Sequence, residues 1–246
     1  MLKTFSITDI GQKRKQNQDY VFTSEIPVGP LKNLFIVADG MGGHNAGDYA
    51  SKYAIATIVE EIEKSKDTTV AALKNAIQKA NAHIRAKSKE NEELSGMGTT
   101  VVAATIEDDM MCVANVGDSR LYVINKEIKQ ITVDHSLVEE MVRMGGIGRD
   151  QARVHQDKNI ITRAIGAEDE IKIDFFPVKL TKGDLILLCS DGLTNMIEDE
   201  EIRMLLLSRK DIAVKAEALV AAANQNGGKD NITVILIEPF ADEVNR

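Results

Sequence analysis

Residues 34–43 read LFIVADGMGG. Five apolar residues run without a break, the pattern of a buried strand. An Asp closes the run, and glycines open the turn that follows. A carboxylate at the mouth of a buried strand is costly unless something positive meets it. The same junction recurs along the chain. Residues 111–120 (MCVANVGDSR) end near Asp118, 185–193 (LILLCSDGL) place Asp191 after an apolar run, and 227–237 (GGKDNITVILI) set Asp230 ahead of one. A single Asp-Gly is ordinarily only a turn. Four Asp at strand ends are a different matter, and Asp19 joins them just before an apolar stretch. Converging carboxylates repel one another, and the simplest remedy is a hard cation held by oxygen: Mg²⁺, Mn²⁺ or Ca²⁺. A metal site is the leading expectation from these residues.

The rest of the chain sets the frame. Its 246 residues contain no Pro/Ser-rich linker, so a single domain spanning 1–246 is expected. The hydrophobic fraction is 43% with no Trp, so the core must rest on aliphatic side chains. A formal net charge of −8 argues against a nucleic-acid partner. Cys112 and Cys189 each lie within an apolar run and read as small buried hydrophobes, with a disulfide between them as the weaker alternative. The N-terminal residues show no signal-peptide pattern, and no apolar run approaches the ~20 residues that a membrane helix needs. No membrane partner and a cytoplasmic location are expected.

Periodicity places strands near 4–8, 20–23 and 33–38. Two amphipathic helices follow, with Ile55, Ile58, Val59 and Ile62 on one stripe and Val70, Leu73, Ile77, Ala80 and Ile84 on the other. Strands are expected next at 100–106, 110–115, 120–124 and 128–131, with Asp108-Asp109 as a hairpin turn. A short helix around 136–144 leads into a Gly-rich polar stretch at 145–166. Strands at 172–178 and 184–189, helices around 199–207 and 212–223, and a strand at 232–237 complete the chain. This order lacks regular βαβα alternation. It predicts an α+β fold: a two-sheet antiparallel β-sandwich flanked by pairs of α-helices.

Smaller signals are weaker alone. Gly40, Gly42 and Gly43 permit a close backbone approach to an ion or phosphate, next to a helix that should begin near 45–48. The GMGTT segment at 96–100 reads mainly as a turn into a buried strand. Arg14, within Lys13-Arg14-Lys15, is either part of a solvated charge run or a guanidinium fork for phosphate. The four His show no zinc-ligand spacing, and no GxSxG motif supports a serine nucleophile.

Taken together, the motifs RKQNQD (14–19), VADGMGGH (37–44), GMGTT (96–100), VGDSR (116–120), SDGL (190–193) and KDNIT (229–233) resemble the metal-dependent Ser/Thr protein phosphatases of the PPM (PP2C-type) family. The compact bacterial members, which oppose Hanks-type Ser/Thr kinases, are the most similar. The resemblance covers nearly the whole chain. It implies hydrolysis of phosphoserine and phosphothreonine monoesters by direct attack of a metal-bridging hydroxide. It also implies two core Mn²⁺ or Mg²⁺ ions and a weaker third. In that reading Asp39 bridges the core ions, and the Gly40 carbonyl binds the second. Asp191 and Asp230 complete the first ion's protein ligands, Asp19 holds its outer water, and Asp118 with Asp191 takes the third. Arg14 grips the phosphate, and 145–166 forms a mobile flap. The implied partners are phosphorylated proteins, including a cognate kinase and its targets, met by a monomer. Two residues depart from the pattern. Met41 stands where many members carry an acid His, leaving His44 as the nearby candidate, and Gln18 replaces a Glu. The competing reading is a non-catalytic phosphoprotein sensor or partner-switching module on the same fold.

Overall fold

The computed structural model describes residues 2–43 and 46–241. Strands β1 (Lys3–Asp9), β11 (Ile232–Glu238), β10 (Leu185–Cys189), β7 (Arg120–Ile124) and β8 (Ile128–Gln130) lie side by side in that order. The second sheet runs β2 (Asp19–Ser24), β3 (Leu34–Met41), β5 (Val101–Glu107), β6 (Met110–Val116), β9 (Asp174–Lys179), with β4 (Gly98–Thr99) on the end of β3. Every pairing in both sheets is antiparallel.

The layering explains the opening stretch. Antiparallel strands usually alternate apolar and polar residues because one face meets water. In β3 both faces are covered. Phe35 and Val37 enter the core between the sheets, with Val102, Leu188 and Ile235. Leu34, Ile36 and Ala38 pack under α1 (Ala46–Lys64) and α2 (Thr69–Glu90). The same holds for β10. Ile186 and Leu188 face the sandwich core, whereas Leu187 and Cys189 pack with residues of α6 (Asp199–Leu206) and α7 (Ile212–Gln225). The result is the expected sandwich with a helix pair on each outer face.

Local details follow turn chemistry. Glu107 pairs with Met110 across a two-residue turn, and Asp108 adopts φ 53°, a left-handed conformation that Asp tolerates. The helix expected at 136–144 is α3 (Leu137–Arg143), and Ser136 Oγ accepts from the Glu139 N–H at its start. Several expectations are corrected. Val70 is exposed and leaves the buried stripe of α2. The strand expected from 172 starts at Asp174. The stretch 145–166 is not wholly irregular, since it contains α4 (Arg149–Val154). A one-turn helix, α5 (Asp191–Thr194), and a 3-10 turn (Glu92–Leu94) are too short to leave a periodic signal. Cys112 and Cys189 lie in different sheets and are both free thiols. Among the described residues, no helix is long and apolar enough to cross a membrane.

Candidate metal centre

Strand register brings the carboxylates to one end of the sandwich. Asp19 stands opposite Asp39 in the β2–β3 ladder, and the Gly40 N–H continues it to the Gln18 carbonyl at 3.1 Å. Asp118 lies two residues past β6, in the link that crosses from the second sheet to the first. Asp191 opens α5 behind β10, and Asp230 sits just before β11. Arg14, Asp39, Gly40, Asp118, Asp191 and Asp230 line one cleft of about 240 Å³. Asp19 is buried beside it. A second cavity of about 300 Å³, lined partly by α3 and α4, also reaches Asp118 and Asp191. Gly40 could not be another residue, because a Cβ there would lie 2.0 Å from the Gly47 carbonyl oxygen of α1.

The electrostatics are those of a site awaiting positive charge. Burial first, and then the neighbouring carboxylates, push Asp39 well above the usual carboxylate range. Burial likewise raises Asp118 and Asp191, with further increments from Asp191 on the former and Asp230 on the latter. Asp19 is pushed up to about 7, mainly by burial and despite the Ser190 hydroxyl that donates to its Oδ2 at 2.7 Å. Asp19 Oδ1 and Asp191 Oδ1 are buried without a hydrogen-bond partner. An orphaned buried acceptor costs about 1–3 kcal/mol.

Every donor aimed at this point is oxygen, so the residues fit a hard divalent cation. Among the described residues, no three His, Cys, Asp or Glu groups close on one point tightly enough to hold an ion alone. Asp230 is turned aside: its Oδ2 takes Arg14 Nη2 at 2.6 Å, and its Oδ1 takes the Asn231 N–H at 2.9 Å. Ions of the Mg²⁺ kind suit such an arrangement, since they take one or two carboxylates and keep several waters.

The sequence reading missed the groups that hold the ligands in place. Thr100 Oγ1 accepts from the Asp39 N–H at 3.0 Å, while the Thr100 N–H and Thr99 Oγ1 both donate to the Asp39 carbonyl at 2.9 Å. Asp39 is therefore gripped at both ends of its own peptide unit. Asn195 Nδ2 donates to Asp191 Oδ2 at 2.8 Å. Asn231 Oδ1 accepts from the Gln18 N–H at 2.8 Å, and its Nδ2 donates to the carbonyls of Ile10 and Gln16. The only visible signal was polar residues placed beside motif Asp residues, as in Ser190-Asp191 and Asp230-Asn231. Ser190 is buried and committed to Asp19, so it is no nucleophile. Met41 lines the cleft and offers no acidic proton. His44 lies outside the described residues.

Comparison with known proteins places this geometry. The chain matches the family described as protein phosphatase 2C over residues 11–233. It is 41% identical to a serine/threonine phosphatase, stp, of Listeria monocytogenes, covering 94% of this chain and 93% of the relative. Its fold is similar to the crystal structure of the serine/threonine phosphatase Stp1 from Staphylococcus aureus. The TM-score is 0.90 at 37% identity, over 96% of this chain and 94% of that one. It is also similar to the catalytic domain of the serine/threonine protein phosphatase PstP in complex with two manganese ions. There the TM-score is 0.83 at 32% identity, over 96% and 97% of the two chains.

Proposed function

The chain belongs to the protein phosphatase 2C family, and from that membership we propose how it works as a metal-dependent protein serine/threonine phosphatase. Asp39, Asp191 and Asp230 hold a first divalent cation, and Asp39 with the Gly40 carbonyl holds a second. Asp19 steadies the surrounding water, and Asp118 with Asp191 takes a third, weaker ion. Mn²⁺ or Mg²⁺ suits this all-oxygen set. Bound there, the cations supply the Lewis acidity that activates water and offsets charge on the phosphate oxygens.

The protein's own residues do the rest. Arg14 is half-exposed on Asp230, and its guanidinium is placed to turn onto a phosphate through paired donors. Among the described residues, no side chain lining the cleft is set up as a nucleophile, so water attacks phosphorus directly and the P–O bond to the Ser or Thr oxygen breaks. The leaving oxygen takes its proton from His44 or from solvent, because Met41 has none to give. The stretch 145–166 serves as a flap beside the cleft. The substrates are phosphorylated proteins, including a cognate Ser/Thr kinase and its targets. The protein works as a cytoplasmic monomer. The sensor alternative has nothing in its favour, since every motif Asp is intact and sits at the cleft.

One observation carries this reading: the carboxylates of Asp39, Asp118, Asp191 and Asp230 line one cleft with buried Asp19 beside it, and Asp19 and Asp191 each keep an orphaned acceptor atom. The test is hydrolysis of p-nitrophenyl phosphate and a phosphothreonine peptide with Mn²⁺, Mg²⁺, Ca²⁺ or EDTA. Activity with Mn²⁺ or Mg²⁺ that EDTA abolishes is expected. No turnover with any divalent cation would return the fold to the sensor reading.

A further inference from the structure

His135 is buried, has no metal-ligand spacing to any other His, and plays no part in the chemistry above. Its contacts converge on the turn that carries Asp118. The Gly117 N–H donates to His135 Nδ1 at 3.0 Å, and the His135 N–H donates back to the Gly117 carbonyl at 3.0 Å. One residue therefore grips both polar ends of the residue just before Asp118. Asn115 Nδ2 adds a third bond to the same carbonyl at 3.3 Å. Gly117 needs that grip. Its φ is +108°, and a Cβ there would meet the Thr100 side chain at 2.5 Å, so the turn has no side chain of its own to anchor it.

The imidazole is itself held in one tautomer. Because Nδ1 accepts, the ring proton is on Nε2, which faces Asp174 Oδ2 at 3.1 Å. Arg163 Nη1 lies 2.9 Å from the same Nε2, which cannot accept while it carries the proton, so the guanidinium donates instead to Asp174 Oδ1 at 3.1 Å and the Lys172 carbonyl at 3.3 Å. Burial lowers the affinity of His135 for a second proton and favours the neutral ring that can accept from Gly117. The His135 carbonyl accepts from the Thr162 N–H at 2.8 Å, within the stretch 145–166.

We propose that His135 is a positioning residue that fixes the Asp118 turn, and through it the affinity of the weakest cation, while the two core ions are set elsewhere. Asp39, Asp191 and Asp230 hang on Thr99, Thr100, Asn195, Arg14 and the Asn231 N–H, none of which bonds the imidazole; Thr100 meets the turn through Ser119 Oγ at 2.7 Å, one residue beyond Asp118. The inference rests on Asp118 being a ligand of that third ion, as proposed above. Outer partners of metal ligands typically govern affinity by about 10- to 100-fold.

Calorimetric titration of the full chain with Mn²⁺ tests this, with thermal melting to confirm the fold. Asp118→Asn serves as the reference and should lose the weakest binding event. His135→Ala should weaken that event at least about tenfold and leave the tighter events within threefold. His135→Asn retains an acceptor near the Nδ1 position and should recover most of the loss. Asp174→Asn, which leaves the imidazole in place, should give an intermediate loss even if His135→Ala fails to fold. If Asp118→Asn loses the weak event and the His135 and Asp174 variants bind like wild type, the inference is overturned and the ligand reading stands. If the variants weaken all events equally, the turn acts on the core ions as well, through the Thr100–Ser119 hydroxyl bond of 2.7 Å, and the inference is likewise overturned. If Asp118→Asn itself binds like wild type, the ligand reading falls and takes the inference with it.

Discussion

The cleft that holds Asp39 and the cavity beside it, which shares Asp118 and Asp191, are built on different principles. On the sheet side, the Asp residues are fixed by short bonds from uncharged partners: Thr99 and Thr100 on the Asp39 backbone, Ser190 on Asp19, Asn195 on Asp191. In the neighbouring cavity, α4 and the residues after it are tied down by long charged side chains. Arg153 reaches Glu198 at 2.5 Å and the Ile197 carbonyl at 2.9 Å, Arg149 reaches Glu139 at 3.3 Å, and Lys158 reaches Asn195 at 3.0 Å. Glu198 and Arg149 are largely exposed, so these pairs contribute little and are screened by salt. A metal site needs ligands fixed to fractions of an ångström, which neutral backbone clamps provide. A lip that admits protein substrates needs contacts that can be exchanged, which solvated ion pairs provide.

The contrast can be broken most violently at the Asp39 cleft. Asp39→Asn removes the charge shared by both core ions and should lower kcat at least about a thousandfold. Intact Mn²⁺-dependent turnover would mean that the ions sit elsewhere. Thr100→Val removes the acceptor for the Asp39 N–H without touching a ligand. It should weaken Mn²⁺ binding by about 10- to 100-fold, read by calorimetry, and an unchanged affinity would show that the clamp is idle.

Protons provide a gentler probe. The raised pKa values of Asp19, Asp39, Asp118 and Asp191 mean that the metal-free fold is favoured while these groups are protonated. That contribution is lost as pH rises through the folded values, about 7 for Asp19. Mn²⁺ should therefore raise the melting temperature more at pH 8 than at pH 5.5. Equal gains at both would remove carboxylate repulsion from the account. The smallest effect belongs to the flap. Arg153→Gln should cost at most about 1 kcal/mol in stability, leave Mn²⁺ affinity unchanged and alter KM for a phosphopeptide, with the difference fading in high salt. A large loss of metal affinity instead would show that the cleft and the cavity are coupled.

Much of this was legible in the sequence wherever the signal was local. The unbroken run in β3 announced a buried strand, and the Asp residues at strand ends announced the cleft. The clamps were illegible because they join distant positions: Thr100 meets Asp39 across 61 residues, and Asn231 meets Gln18 across 213. Polar residues that satisfy a neighbour's backbone look like ordinary turn chemistry until the fold sets them together. His135 was read only for what it lacks, ligand spacing, although its task is to hold a glycine. The short helices α4 and α5 escaped because one or two turns are too brief to show a period.

One pairing sets a schedule. β1 lies beside β11, with Lys3 opposite Glu238, and β11 also pairs with β10 in the interior of its sheet. During synthesis the first strand to emerge must wait for the last, and the sheet carrying Asp191 stays split until that strand arrives. Asp230 reaches the cleft only as β11 zips in. Until β11 is in place, β1 and β10 lack the strand that joins them, and the cleft lacks one of its carboxylates.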